Sequence, residues 1–196
     1  VLGSAGTMRA ALTRAVHHTR HRRAFGALLV DQPLMRNVLT DLALESEAAS
    51  LLGMRLAHAV DEGETELTRL GVAVGKYWVC KRTSPFVAEA LECLGGNGYV
   101  EDFGMARLYR EAPLMGIWEG SGNVSALDTL RAMATRPECI DVLFDERESV
   151  KRRRKLDAEY HAARDDHGEH HRRQRAGQRS SLPEGAFGPH PLEPGE

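Results

Sequence analysis

The sequence has 196 residues, a net charge of −2 and 42% hydrophobic residues, which fits one soluble domain followed by a tail. No apolar run is long enough to cross a bilayer. The opening Val1-Leu2-Gly3-Ser4-Ala5-Gly6 lacks the basic region and cleavage site of a signal peptide, and Cys80, Cys93 and Cys139 form no CxxC pair or even-numbered framework. These features speak against a membrane-spanning, exported or disulfide-stapled chain; the expectation is a reduced, cytoplasmic protein whose sequence starts inside a longer one.

In chain order, a first helix is expected from about Leu2 to Ala24. A second is expected from roughly Leu34 to Val60, where Leu34, Val38, Leu42, Ala49, Leu52, Leu56 and Val60 recur near helical spacing. Pro33 suits the first turn of that helix. A third begins near Glu66, with Ser84-Pro85 as a kink or restart, and stops at Gly95-Gly96 after Leu94. A fourth follows Ser121 to about Met133, and Pro137 breaks it. No sustained apolar/polar alternation marks a strand. The fold class is therefore all-α, an up-and-down four-helix bundle over 1–135 with antiparallel neighbours, an extra helix over 136–161 and a charged, disordered tail over 162–196.

Three segments could carry chemistry. In Arg22-Arg23-Ala24-Phe25-Gly26, Arg22 and Phe25 fall on one helix face, so that Phe25 can pack while a guanidinium grips a phosphate; a plain basic helix end closed by Gly26 is the simpler alternative. In Leu94-Gly95-Gly96-Asn97-Gly98-Tyr99, the glycines let backbone N–H groups approach a ligand, or merely stop a helix. In Ile117-Trp118-Glu119-Gly120-Ser121-Gly122-Asn123, Ser121 can cap the next helix and its free N–H groups suit a phosphate. Beside Ile117 and Trp118, Glu119 is expected to lose hydration, which raises a carboxyl pKa toward that of a general base; a solvated Glu in a capping turn is the alternative.

The histidines do not make a metal site. His17 and His21 are four apart on a helix, but no third ligand is evident and arginines surround them; His167, His170 and His171 are equally unspecific. Lys151-Arg152-Arg153-Arg154-Lys155 could touch phosphate backbones or form a solvated helix end.

The order of these segments resembles the C-terminal domain of acyl-CoA dehydrogenases over roughly 1–133. The features are Arg-x-x-Phe-Gly after a first helix, Gly-Gly-x-Gly-Tyr after a third, then Tyr109-Arg110-Glu111-Ala112 and Trp118-Glu119-Gly120. The segments 32–36, 76–82 and 117–123 resemble the alkylation-response branch of that family.

The resemblance implies an N-terminal helical domain and a middle β domain elsewhere in a complete subunit, with FAD between the β domain and the bundle and a second subunit reaching over it. It implies that Arg22 and Phe25 contact FAD across the subunit interface, and that Glu92, Gly95 and Gly96 lie along its pyrophosphate or adenosine end. By the same resemblance Ser121 and Asn123 hydrogen-bond FAD, and Glu119 is the base that removes the α-proton of an acyl-CoA. Glu92 departs from a common Gln, Pro33 from another, and Ser121 stands for the usual Thr. Three functions follow: a piece of an FAD-dependent acyl-CoA dehydrogenase that forms homo-oligomers through the bundle, a piece of an alkylation-response flavoprotein that touches DNA, or an inactive helical remnant. Alone, the chain is expected to bind FAD weakly and turn over little.

Overall fold

The computed structural model describes residues 1–158. Helix α1 spans Leu2–His21, α2 Pro33–Asp61 and α3 Thr65–Glu92; the short α4 (Gly96–Tyr99) and α5 (Met105–Glu111) precede α6 (Gly122–Thr135). Helical residues resume at 138. One compact unit covers Val1–Asp145. From Glu146 the chain belongs to a second unit, helical to 158, in which Lys151 pairs with Glu148 at 2.7 Å. The expected disordered tail over 162–196 lies outside the described residues.

Periodicity explains the bundle. In α2 the buried positions are Leu39, Leu42, Ser46, Ala49, Gly53, Leu56 and Ala59, spaced by steps of three or four that form a single stripe. The α1 stripe consists of Ser4, Ala5, Met8, Ala11, Leu12, Ala15 and Thr19, mostly small residues that admit close approach. Helix α3 buries residues on several sides because α1, α2 and α6 all pack on it. The turn of 62–64 between α2 and α3 is short enough to force them antiparallel. Leu56 then seats over Gly71 and Gly75, where an added Cβ would come within 2.7 and 3.0 Å of its methyl groups.

Two sites differ from the sequence expectation. Helix α1 ends at His21 rather than Ala24, and the chain makes a small antiparallel hairpin, Arg23–Ala24 against Ala27–Leu28. Phe25 and Gly26 form its turn with φ of +53° and +82°, the type I′ pattern that matches strand twist. Gly26 is thus a hairpin residue and not a helix cap; no Asn-Gly or Asp-Gly pair had marked the turn. At Pro85, α3 neither breaks nor restarts. The ring removes one backbone bond, at a cost of about 3 kcal/mol. Pro85 and Lys81 are both on the exposed side, while Thr83, Phe86 and Val87 are anchored in the interior.

A second small cluster joins Leu70 of α3, Ala132 of α6 and Cys139, with Ile140 and Leu143 against it. Beside it Arg69 grips Asp128 in a two-pronged pair at 2.9 and 2.8 Å, which fixes α6 along α3 and lowers the Asp128 pKa.

Candidate functional site

The sequence-predicted residues fall into two places. The first lies where α1 ends. Arg14, His17, His18, His21 and Arg22 line one side of a cleft of about 580 Å³, and Leu94 and Phe103 line the other. Arg22 thus shares a cleft with Leu94, the residue before the glycine turn. Gly95 stands at φ +57° and ψ −138°, a conformation that in effect only glycine adopts, and its N–H donates to the Glu92 carbonyl at 2.9 Å. Gly96 opens α4, while Gly98 is buried against the chain itself: a Cβ there would lie 2.3 Å from the Leu91 carbonyl oxygen. Glu92 is exposed.

Phe25 sits at the hairpin tip, 93% exposed. Among the described residues it lacks the packing expected on a helix face. Gln32, the residue before α2, reaches the carbonyls of Ala24 and Phe25 at 3.5 Å each and braces the tip from below.

The second place is the turn that enters α6. Glu119 has φ +53° and Gly120 φ +112°, so the backbone reverses sharply. Lys76 of α3 holds the reversal: its Nζ donates to the carbonyls of Trp118, Glu119 and Gly120 at 2.8, 2.9 and 3.0 Å. Glu119 borders a cleft of about 400 Å³ with Lys76, Val72, Val124 and the Arg69–Asp128 pair. The expected dehydration of Glu119 is not supplied by the described residues. Glu119 is exposed, and Ile117 and Trp118 are themselves 62% and 50% exposed.

Ser121 occupies the N-cap position of α6, but its side chain makes no capping hydrogen bond. The first-turn N–H groups of α6, those of Gly122, Asn123 and Val124, thus have no side-chain partner, and both Ser121 and Asn123 are exposed. Lys76 and Gln32 were not singled out from sequence as parts of a site. Each acts through backbone carbonyls of another segment, a contact that leaves no signature in local spacing.

With this geometry in place, the comparisons decide the family. The sequence profile of the acyl-CoA dehydrogenase C-terminal domain matches residues 1–134. The chain belongs to the acyl-CoA dehydrogenase family. It is 45% identical over 154 residues to AidB of Escherichia coli (strain K12), covering 76% of this chain and 28% of AidB. Among solved structures, Caenorhabditis elegans ACDH-11 in complex with C11-CoA has a TM-score of 0.62 at 34% identity over 66% of this chain and 23% of that one. Butyryl-CoA dehydrogenase from Megasphaera elsdenii has a TM-score of 0.63 at 29% identity, over 67% of this chain and 34% of that one. The chain thus spans between a quarter and a third of the length of most such relatives. As an acyl-CoA dehydrogenase C-terminal domain, it is all-α with the bundle expected from sequence, and no described helix is long and apolar enough to cross a membrane.

Proposed function

We propose that this domain forms one wall of the flavin and thioester site of an acyl-CoA dehydrogenase, with Glu119 as the base. The carrying observation is the Lys76-held turn. It fixes Glu119 in a left-handed conformation one residue before an N-cap whose side chain leaves the α6 N–H groups open. Such strain is retained where a side chain must be aimed.

The residues present suit FAD. The uncapped start of α6 offers N–H donors and the Ser121 hydroxyl to a polar cofactor edge. At the other place Arg14 and Arg22 offer fixed positive charge to a pyrophosphate, next to a glycine turn that admits close backbone approach. Phe25, braced by Gln32 and exposed at its tip, is suited to cover a cofactor held by a second copy of the subunit. Bound flavin supplies the hydride acceptor for the β-carbon of an acyl-CoA. Glu119 takes the α-proton: its carboxylate gains an O–H bond as the α C–H bond breaks, and the carbon's electron pair moves toward the forming double bond. Covering Ile117 and Trp118 with a β domain or substrate would exclude the water that now reaches Glu119 and make it a stronger base.

In a complete subunit, Glu119→Gln should retain flavin and lose anaerobic bleaching by an acyl-CoA. Bleaching at the wild-type rate would reject the role.

A second reading has one observation in its favour. Lys151–Lys155 are exposed helical residues, which supports contact with duplex DNA by an alkylation-response flavoprotein. It requires binding that weakens steeply with salt and on neutralising that run.

A further inference from the structure

The cleft at the end of α1 carries more titratable groups than a phosphate grip requires. Arg14 and Arg22 already supply permanent charge, yet His17, His18 and His21 line the same wall. Their chemistry is constrained. His21 Nδ1 lies 2.7 Å from the His17 carbonyl oxygen. A carbonyl only accepts, so Nδ1 carries the proton and, in the neutral ring, Nε2 holds a bare lone pair. Against a phosphate oxygen that places acceptor beside acceptor. Protonation turns Nε2 into a charged donor.

The His17 and His21 rings are 4.4 Å apart, so two imidazolium ions there would repel each other. His18 is held below the usual histidine pKa by burial, then by Arg22 and His17. The other charged groups lining the cleft are Arg14 and Arg22, of the same sign, and Leu94 and Phe103 across it are neutral. Glu101, two residues from Phe103, is bound to Arg110 at 2.6 Å. Among the described residues no lining carboxylate supports a proton on the wall, whereas a bound anion would.

We propose that this histidine wall makes the cleft a pH-dependent receptor for a dinucleotide pyrophosphate, which it grips as the imidazoles gain protons and releases as they lose them. The proposal rests on reading the cleft as the pyrophosphate subsite described above. The sign follows from linkage. Bound pyrophosphate favours the charged rings, so binding takes up protons and affinity climbs as pH falls. Each linked proton changes affinity by up to about tenfold per pH unit.

The test uses the chain with ADP-ribose, a pyrophosphate diester whose own charge is constant between about pH 5.5 and pH 7.5. Calorimetry at constant ionic strength, in buffers of different ionisation enthalpy, reads affinity and proton uptake together. The expected result is binding at least about tenfold tighter at the lower pH with net proton uptake, both flattened in a His18→Asn, His21→Asn variant of unchanged helicity. Equal affinity at both pH values without proton uptake overturns the proposal. If Arg22→Ala still weakens that pH-independent binding, the dinucleotide reading of the cleft survives. Absence of binding at either pH removes both.

Discussion

Lys76 and Glu119 lie 43 positions apart in sequence, and the ammonium of one donates to the backbone carbonyl of the other at 2.9 Å while also holding the carbonyls on either side. A single nitrogen with three donors is matched to three converging acceptors. A planar guanidinium is not. Lys76→Met should lower stability by about 1–2 kcal/mol, because charged hydrogen bonds are lost at a half-buried site. Lys76→Arg should recover less than half of that. Denaturant midpoints at constant m-value measure both.

Glu119 carries backbone strain, with φ at +53°. A left-handed residue with a Cβ costs about 1–2 kcal/mol relative to a right-handed one. Glu119→Gly should therefore match or exceed the parent chain in stability, by up to about 1 kcal/mol, and Glu119→Val should fall below it. Thermal unfolding of the three chains gives the order. In a complete subunit the glycine variant should be the most stable of the three, and both variants should lose the activity that needs the carboxylate.

Glycines at two positions should respond with opposite sign. Gly6 lies in α1 with nothing within 4 Å of an added Cβ, so Gly6→Ala should stabilise by about 0.5–1 kcal/mol through helix propensity. At Gly98 the same methyl would lie 2.3 Å from a backbone oxygen and 2.9 Å from Leu91 Cγ. Backbone cannot rotate aside as a side-chain end can. Gly98→Ala should destabilise by about 1–3 kcal/mol and disturb the neighbouring Gly95 turn, readable as amide shifts there.

The thiols should be inert in the folded chain. Burial, aided by the Glu89 carboxylate, pushes Cys93 from 9.0 up to about 11. Cys139 is also raised, by burial and then by its hydrogen bond to Glu66, and Cys80 is buried beside Ser4. None should react with a thiol-specific disulfide reagent at about pH 8, and all three should react in denaturant. The pH dependence has a definite sign. Because Cys93 holds its proton more tightly when folded, its contribution to stability is intact below pH 9 and is lost as pH rises toward 11.

The long helices were legible because burial imposes the same three-and-four spacing on residues such as Leu39, Leu42, Ser46 and Ala49 that a reader can count. The boundaries of α2 and α6 followed from Pro33 and Ser121. The hairpin was hidden because Phe25, a residue rarely found at positive φ, takes the place where Asn would have announced a turn. Pro85 misled because local propensity says nothing of the tertiary packing that carries α3 past it. Arg22 and the Gly95 turn were expected to serve one ligand; Arg22 shares a cleft with Leu94, the residue before Gly95. Glu119 was found as a candidate base, but its solvation was misread: apolar neighbours in sequence dehydrate a carboxylate only if they fold over it, and Ile117 and Trp118 do not. The bracing by Lys76 and Gln32 depends on contacts between distant segments and has no local pattern to betray it.

The claim that Glu119 is a base can be separated from flavin reduction by following the substrate's own proton. A complete subunit incubated anaerobically in deuterated water with an acyl-CoA analogue that cannot lose a β-hydride should wash deuterium into the α-carbon. Glu119→Gln, with flavin still bound, should abolish that exchange. Exchange at the parent rate in the glutamine variant would contradict the assignment, and with it the purpose given to the turn that Lys76 holds.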